Sequence, residues 1–320
     1  MPVTVEVPKE TWTGKVREIT LGATPANGGT RGKEVIVGGA STLPFLHFEG
    51  KLPHRPVIAL EIQDEAPAWP QPLLEAWGDV IKDPVAWAKK AEAAGADLLM
   101  LRLSGGENVT AEDGKKAAAV TKAVLGATTL PLIVRGPGQA EADNALLVPV
   151  CEIAAGERIA VGLCEDKNYR TIVAAALANG QLVIASSPID VNLAKQLNIL
   201  ISDMRMDLSR ILMDPTTGAL GYGLEYTYSV MERLRLAALS GDSMTQQPMI
   251  CFVGEEAWRQ KEARVGDGVP AEWGDWRRRG VIWETLTATT LLEAGADIVV
   301  VRHPETLRLV RQAIDRLMLS

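Results

Sequence analysis

The chain has 320 residues, 47% of them hydrophobic, enough for a large core in one big unit or two smaller ones. Its 33 basic against 40 acidic residues leave a net charge of −7, which argues against a general nucleic-acid binder. No apolar run approaches the roughly 20 residues of a membrane helix, and residues 1–6 lack a signal peptide's basic start, so a cytoplasmic location is expected.

Residues 1–55 hold short β-prone runs, Val3–Val7, Lys15–Leu21 and Lys33–Val37, separated by Pro8-Lys9, Asn27-Gly28-Gly29 and Gly38-Gly39. They read as an N-terminal β-hairpin extension packed on one end of the remainder. From Pro56 onward apolar runs alternate with helical patterns. The runs are Val57–Ile62, Leu98–Leu103, Leu130–Val134, Ile159–Leu163, Leu182–Ala185, Ile211–Met213, Met249–Val253 and Ile298–Val301. They are continuous rather than alternating, as in parallel strands buried on both faces. Between them apolar residues recur at helical spacing, as at Val191, Ala194, Leu197, Leu200 and Ile201. Gly95, Gly180 and Gly295 sit where a left-handed residue ends a helix, and Asp190 where a cap begins one. Residues 94–102 and 294–302 repeat one helix-to-strand joint, each ending in arginine. Eight strands, each followed by a helix, predict a (βα)8 TIM barrel over residues 56–320. An open doubly wound sheet is the alternative, but no G-x-G-x-x-G follows the first run.

Glu255–Arg279 reads as a long irregular excursion carrying Trp258, Trp273 and Trp276 among arginines and acidic residues. Such insertions and such residue pairs favour a partner contact over a loop packed on its own tryptophans.

In a barrel of this kind chemistry belongs to the loops at the C-terminal strand ends. Those loops hold Gln63-Asp64, Ser104-Gly105-Gly106, Arg135-Gly136, Glu165-Asp166-Lys167-Asn168, Ser186-Ser187-Pro188, Gly254-Glu255-Glu256 and Arg302-His303-Pro304. After the sixth run comes Asp214–Tyr226, which concentrates three glycines, two threonines and two tyrosines in one strand-to-helix turn. It reads either as a ligand cradle or as a tight turn whose glycines only satisfy geometry. Metal-assisted hydrolysis would call for several histidines, and this rim has only His303. Lys167 is the sole Schiff-base candidate, and Ser186 or Ser187 with His303 the weak nucleophilic one. Cys151, Cys164 and Cys251 are scattered through apolar runs and read as buried free thiols. Arg135 and Arg302 are expected to pair with Asp64, Glu165 or Asp214 across the mouth. The rim suits holding a large polar-edged ligand better than acid–base or nucleophilic catalysis.

The turn Asp214-Pro215-Thr216-Thr217-Gly218-Ala219-Leu220-Gly221-Tyr222-Gly223-Leu224-Glu225-Tyr226 resembles the signature of the corrinoid/iron–sulfur protein small subunit, the delta subunit family of acetyl-CoA decarbonylase/synthase. Ser187–Asn192, Lys195–Asn198, Gly254–Trp258, Gly295–Asp297 with Arg302-His303-Pro304, and Gly38–Gly50 are similar too, so the resemblance runs through nearly the whole chain. It implies a methyl-group carrier of the anaerobic acetyl-CoA (Wood–Ljungdahl) pathway, a subunit rather than a catalyst. Its implied partner is a large subunit that carries an iron–sulfur cluster and a corrinoid-binding domain. The cobalt would take a methyl group from methyltetrahydrofolate through a separate methyltransferase and deliver it to acetyl-CoA synthase. On this resemblance the cofactor-binding candidates are Asp64, Arg135, Ser187 and Arg302 with Asp214, Thr216 and Thr217. From the turn itself come Gly218, Leu220, Gly221 and Tyr222. No catalytic or metal-ligating residue is assigned. Two other readings compete: a pterin-dependent methyltransferase using Asp64, Asn168 and Asp214, and a purely structural subunit.

Overall fold

The continuous apolar runs form a barrel because both of their faces find partners. The computed structural model describes residues 6–106 and 109–319, so the run Val3–Val7 lies largely outside the described residues. An antiparallel hairpin of β1 (Glu18–Leu21) and β2 (Val35–Gly38) comes first. Then β3 (Val57–Gln63), β4 (Leu98–Arg102), β5 (Leu132–Arg135), β6 (Ala160–Cys164), β7 (Leu182–Ser186), β8 (Ile211–Asp214), β9 (Met249–Cys251) and β10 (Ala296–Val301) close in chain order, β10 pairing with β3. Every neighbouring pair in the barrel is parallel.

Helices return the chain after each strand: α1 (Gln71–Trp77) and α2 (Pro84–Ala93), α3 (Ala111–Ala127), α4 (Ala140–Ile153), α5 (Tyr169–Asn179), α6 (Val191–Asp203) and α7 (Leu224–Leu239). Three helices, α8 (Val253–Arg259), α9 (Lys261–Arg264) and α10 (Trp276–Glu293), follow β9, and α11 (Pro304–Leu319) ends the chain. Asp190 caps α6 as its position suggests, accepting from the amides of Asn192 at 2.7 Å and Leu193 at 2.9 Å. Gly95, Gly180 and Gly295 all have positive φ.

The excursion after β9 is not irregular. Val253 starts a helix directly after the strand, so the predicted run through Val253 stops at Cys251. Gly266, Gly268, Pro270 and Gly274 break the helical pattern into pieces too short for periodicity to show. Its tryptophans pack inward: Trp258 is buried and stacks on His303, and Trp276 Nε1 donates to the Ala263 carbonyl at 2.7 Å. Arg279 ties the pieces together, donating to the carbonyls of Glu262, Val265, Trp273 and Gly274.

Strand alternation divides the core in two. Outward residues such as Ile58, Leu60, Leu99 and Leu101 pack under the helices. Inward residues, among them Val57, Ala59, Leu98, Met100, Ile133, Leu182, Ile184, Leu212 and Ile250, fill the barrel. Ile19, Leu21, Val35 and Val37 of the hairpin join this inner cluster. Backbone bonds from Arg17 to Gln246, Gly22 to Arg158 and Gly32 to Thr129 fasten the extension to segments leading into β9, β6 and β5. The hairpin therefore plugs the N-terminal end of the barrel.

Arg31 locks that plug. Only 1% exposed, it donates to Glu157 at 2.7 Å and to the carbonyls of Leu125, Thr128 and Leu130. Removing one member of such a pair strands a buried charge, so Glu157→Gln is expected to lower unfolding stability by about 3 kcal/mol, read as a shifted urea midpoint at constant m.

Candidate functional site at the barrel mouth

Carrying the inward alternation one step beyond the apolar core reaches the mouth. The step lands on Glu61, Arg102, Arg135, Ser186, Asp214, Phe252 and Arg302. The top layer of the barrel interior is thus mostly polar, and its groups answer one another. Arg302 donates through Nε and Nη2 to both oxygens of Glu61, at 2.8 and 2.7 Å. Glu255, near the start of α8, lies 2.8 Å from Arg102 Nη1 and takes a hydrogen bond from Arg135. Burial would push the Glu255 carboxyl up, but the charges of Arg135, Arg102 and Arg302 outweigh it and hold the pKa at about 2. Arg135 also stacks 4.4 Å over Phe252, and Arg302 4.9 Å over Trp69. Beneath Arg302, the fully buried Glu284 accepts from the Arg302 amide at 2.5 Å and the His303 amide at 3.3 Å.

These pairs correct the expected ones. Arg135 and Arg302 turn to Glu255 and Glu61, not to Asp64, Glu165 or Asp214. Parallel strands place Glu61 beside Arg302 on adjacent β3 and β10, and α8 aims Glu255 inward. The sequence places Glu255 on the rim without its arginine partners, and Glu61, Arg102 and Glu284 are not among the residues expected there. For Glu61 and Arg102 the signal was available, since both continue the period-two inward series of their strands.

The glycine-rich turn spends most of its polar groups on itself. Asp214 Oδ2 accepts from Ser186 Oγ at 2.8 Å and Oδ1 from the Thr216 amide at 3.0 Å. Thr216 adopts φ +65° and donates its hydroxyl to the Ser187 carbonyl at 2.6 Å. Thr217 Oγ1 accepts from the Phe252 amide at 2.9 Å, and the amides of Gly218 and Leu220 donate to Thr227 and Thr287. A Cβ at Gly218 would sit 2.4 Å from the Gly223 carbonyl oxygen, so only glycine fits there. Gly221 and Tyr222 stand exposed at the rim, where the Tyr222 hydroxyl donates to Glu262 at 3.0 Å. The geometry-only reading thus accounts for Thr217, Gly218 and Leu220, whereas Gly221 and Tyr222 face outward.

Asp64 accepts from the amide and hydroxyl of Ser104, at 2.8 and 2.7 Å. Ser187 differs: it is buried, and among the described residues its hydroxyl finds no partner. It opens on a pocket of about 580 Å³ beside the mouth. Glu165, Asp166 and Lys167 form one wall of that pocket, and Leu193, Leu197 and Leu200 of α6 the other. Ser186 is committed to Asp214, while His303 packs on Trp258 with its Nδ1 accepting from the Glu305 amide at 3.0 Å, so the two do not form a nucleophilic pair. Burial lowers the His303 pKa to about 4.

The closed parallel barrel is shared with dihydropteroate synthases. The enzyme of Coxiella burnetii in complex with pteroic acid overlays with a TM-score of 0.57 at 12% identity, covering 85% of this chain and 97% of the enzyme. That of Xanthomonas albilineans with 4-aminobenzoic acid gives 0.56 at 16% identity, covering 84% and 95%. At such identities only the fold is shared. Sequence carries the assignment further. Residues 18–313 match the CO dehydrogenase/acetyl-CoA synthase delta subunit family. The acetyl-CoA decarbonylase/synthase complex subunit delta of Archaeoglobus fulgidus is 36% identical over 316 residues, 97% of this chain and 70% of that one. The Methanopyrus kandleri subunit is 36% identical over 306 residues, 94% and 75% of the two chains. The chain belongs to the CO dehydrogenase/acetyl-CoA synthase delta subunit family, and so to the acetyl-CoA pathway. Among the described residues no helix is long and apolar enough to cross a membrane.

The mouth makes stability depend on pH in a definite direction. Burial raises the Asp214 carboxyl to about 6 against the attraction of Arg135, and burial likewise raises Asp143 to about 6. A carboxyl whose pKa is higher folded than unfolded binds its proton more tightly in the folded state. Its contribution is therefore full below about pH 4 and is lost as pH rises through about 6. Asp214→Asn should remove its share: relative to wild type, the variant gains on the order of 2 kcal/mol between pH 4 and 7. Urea midpoints across that range check this, and a constant difference would contradict it.

Proposed function

We propose that this chain is the barrel subunit of a two-subunit methyl carrier, covering one face of a corrinoid that a larger subunit binds. The carrying observation is the filled top layer. Arg102, Arg135 and Glu255 occupy the centre of the mouth, and Glu61 with Arg302 one side, all buried or nearly so. A ligand of this barrel therefore lies across the mouth rather than inside it, which suits a wide, flat macrocycle. The groups left facing outward fit the amide-bearing edge of a corrin. They are Gly221 and Tyr222 at the rim, beside the pocket that the buried, unpartnered Ser187 lines. What a bound corrinoid supplies is a cobalt centre that takes up and releases a methyl group. In this reading the chain's own residues position the ring, keep water from one face and limit access, and none needs to move a proton. The methyl group would come from methyltetrahydrofolate through a methyltransferase and leave to acetyl-CoA synthase.

The thiols fit the same division of labour. Cys151, Cys164 and Cys251 are buried on α4, β6 and β9, and burial pushes the Cys151 thiol up to about 12. They do not converge on a cluster, so the iron–sulfur centre is assigned to the larger subunit. The competing pterin reading needs Asn168 to offer its amide edge to a ring. Instead Asn168 accepts from the Glu165 amide at 2.7 Å and donates to the Leu163 carbonyl at 3.0 Å, which occupies both ends of the group.

Three experiments test the proposal. The purified chain alone should retain no stoichiometric corrinoid and should gain none until the larger subunit is added. Calorimetric titration of the chain alone with methyltetrahydrofolate should show no micromolar binding, and tight binding would favour the pterin reading instead. Hydrogen exchange across Glu255–Arg279 should slow when the two subunits combine, since α8 and α9 flank the mouth, and an unchanged rate would remove the excursion from the interface.

A further inference from the structure

At the far end of the barrel from the mouth, an open cavity of about 360 Å³ lies between β1 and the starts of β7 and β8. Thr20 and Glu18 of β1, Ser209 and Arg210 ahead of β8, and Arg158 ahead of β6 line it. Arg210 is fixed in place: Nε donates to the Gln181 carbonyl at 3.0 Å and Nη2 to the Ala176 carbonyl at 2.9 Å, at the C-terminal end of α5. Its Nη1 is left over. Arg158 adopts φ +51°, a left-handed conformation strained for a non-glycine residue. Among the described residues the Arg158 guanidinium makes no hydrogen bond or ion pair, and the Nε of nearby Arg17 is buried without a partner.

Carboxylates are close, yet each is engaged elsewhere. Glu18 faces His54 at 3.6 Å. Asp207 accepts from the amide and hydroxyl of Ser209, both at 2.8 Å. Glu34 accepts from Asn27 Nδ2 at 2.5 Å and the Thr24 amide at 3.2 Å. Two guanidinium groups thus share a cavity whose one lining carboxylate is Glu18, and backbone carbonyls rather than a direct ion pair hold Arg210. Burial lowers the pKa of Arg210, the charge of Asp207 pulls the other way, and the charge of Arg158 adds to the lowering.

We propose that this basal cavity binds the phosphate group of a small molecule. Arg158, the spare Nη1 of Arg210 and the Thr20 hydroxyl offer more donors than the two oxygens of a carboxylate can use, and they match the oxygens of a phosphate. The volume exceeds that of bare phosphate, so the natural ligand carries a further group. The site spans the hairpin and three barrel strands, so occupancy ties the extension to the barrel.

Inorganic phosphate is the probe, added to the purified full chain at constant ionic strength. The expected result is saturable binding of one equivalent by calorimetry. Melting temperature should rise by about 2–4 °C at phosphate concentrations roughly tenfold above its Kd. Arg158→Asn, whose side chain tolerates the left-handed backbone, should fold and lose both effects. Glu18→Gln should tighten binding roughly two- to fivefold by removing a repelling carboxylate from the wall. An unsaturable rise in melting temperature, equal in wild type and Arg158→Asn, would be general salting-out and would overturn the site. Saturable binding that Arg158→Asn leaves intact, or that Glu18→Gln weakens, would overturn it equally.

Discussion

Glu255 held among Arg102, Arg135 and the more distant Arg259 is the contact on which the mouth depends. One carboxylate from a helix end crosses the barrel opening and neutralises guanidinium groups from two neighbouring strands. Without it, two inward-facing cations would sit side by side over an apolar interior. With it, the interior is sealed, Phe252 and Trp69 have flat cationic partners, and the ligand-facing surface is pushed outward onto the loops. Buried pairs of this kind rarely add much net stability, but they set which groups point where.

In the proposed role of a cover, the polar layer leaves the mouth filled rather than open. Several groups with catalytic potential are engaged: Ser186 with Asp214, Asp64 with Ser104, His303 against Trp258. What remains outward is backbone and a tyrosine, with a buried serine hydroxyl beside them. Such a surface recognises amide and hydroxyl edges and leaves reactivity to whatever it holds.

The strands were legible in the sequence because each is an apolar run long enough to be buried on both faces, and the sharp punctuation of Asp190 and Gly180 marked where helices begin and end. The hydrogen-bonded interior of the Asp214–Tyr226 turn was not legible. Its partners, Phe252, Thr227 and Thr287, are distant in sequence or a helix away, and nothing in the turn's composition says which hydroxyls it will meet. The ion pairs failed for a related reason. A search for partners among loop residues overlooked that Glu61 and Arg102 belong to the strands themselves. Helices α8 and α9 escaped because at 7 and 4 residues they are too short for a periodic signal, and the breakers Gly266, Gly268, Pro270 and Gly274 follow directly.

Arg279 gives the segment beyond β9 an unusual character. By gathering carbonyls from α9, from the turn at Trp273 and from the chain between them, one guanidinium makes a long connection behave as a small rigid body. A surface already fixed in shape loses little conformational entropy when something docks on it. Contacts made there translate into affinity with little lost to ordering, and an assembly that joins and parts repeatedly can do so without refolding an edge each time.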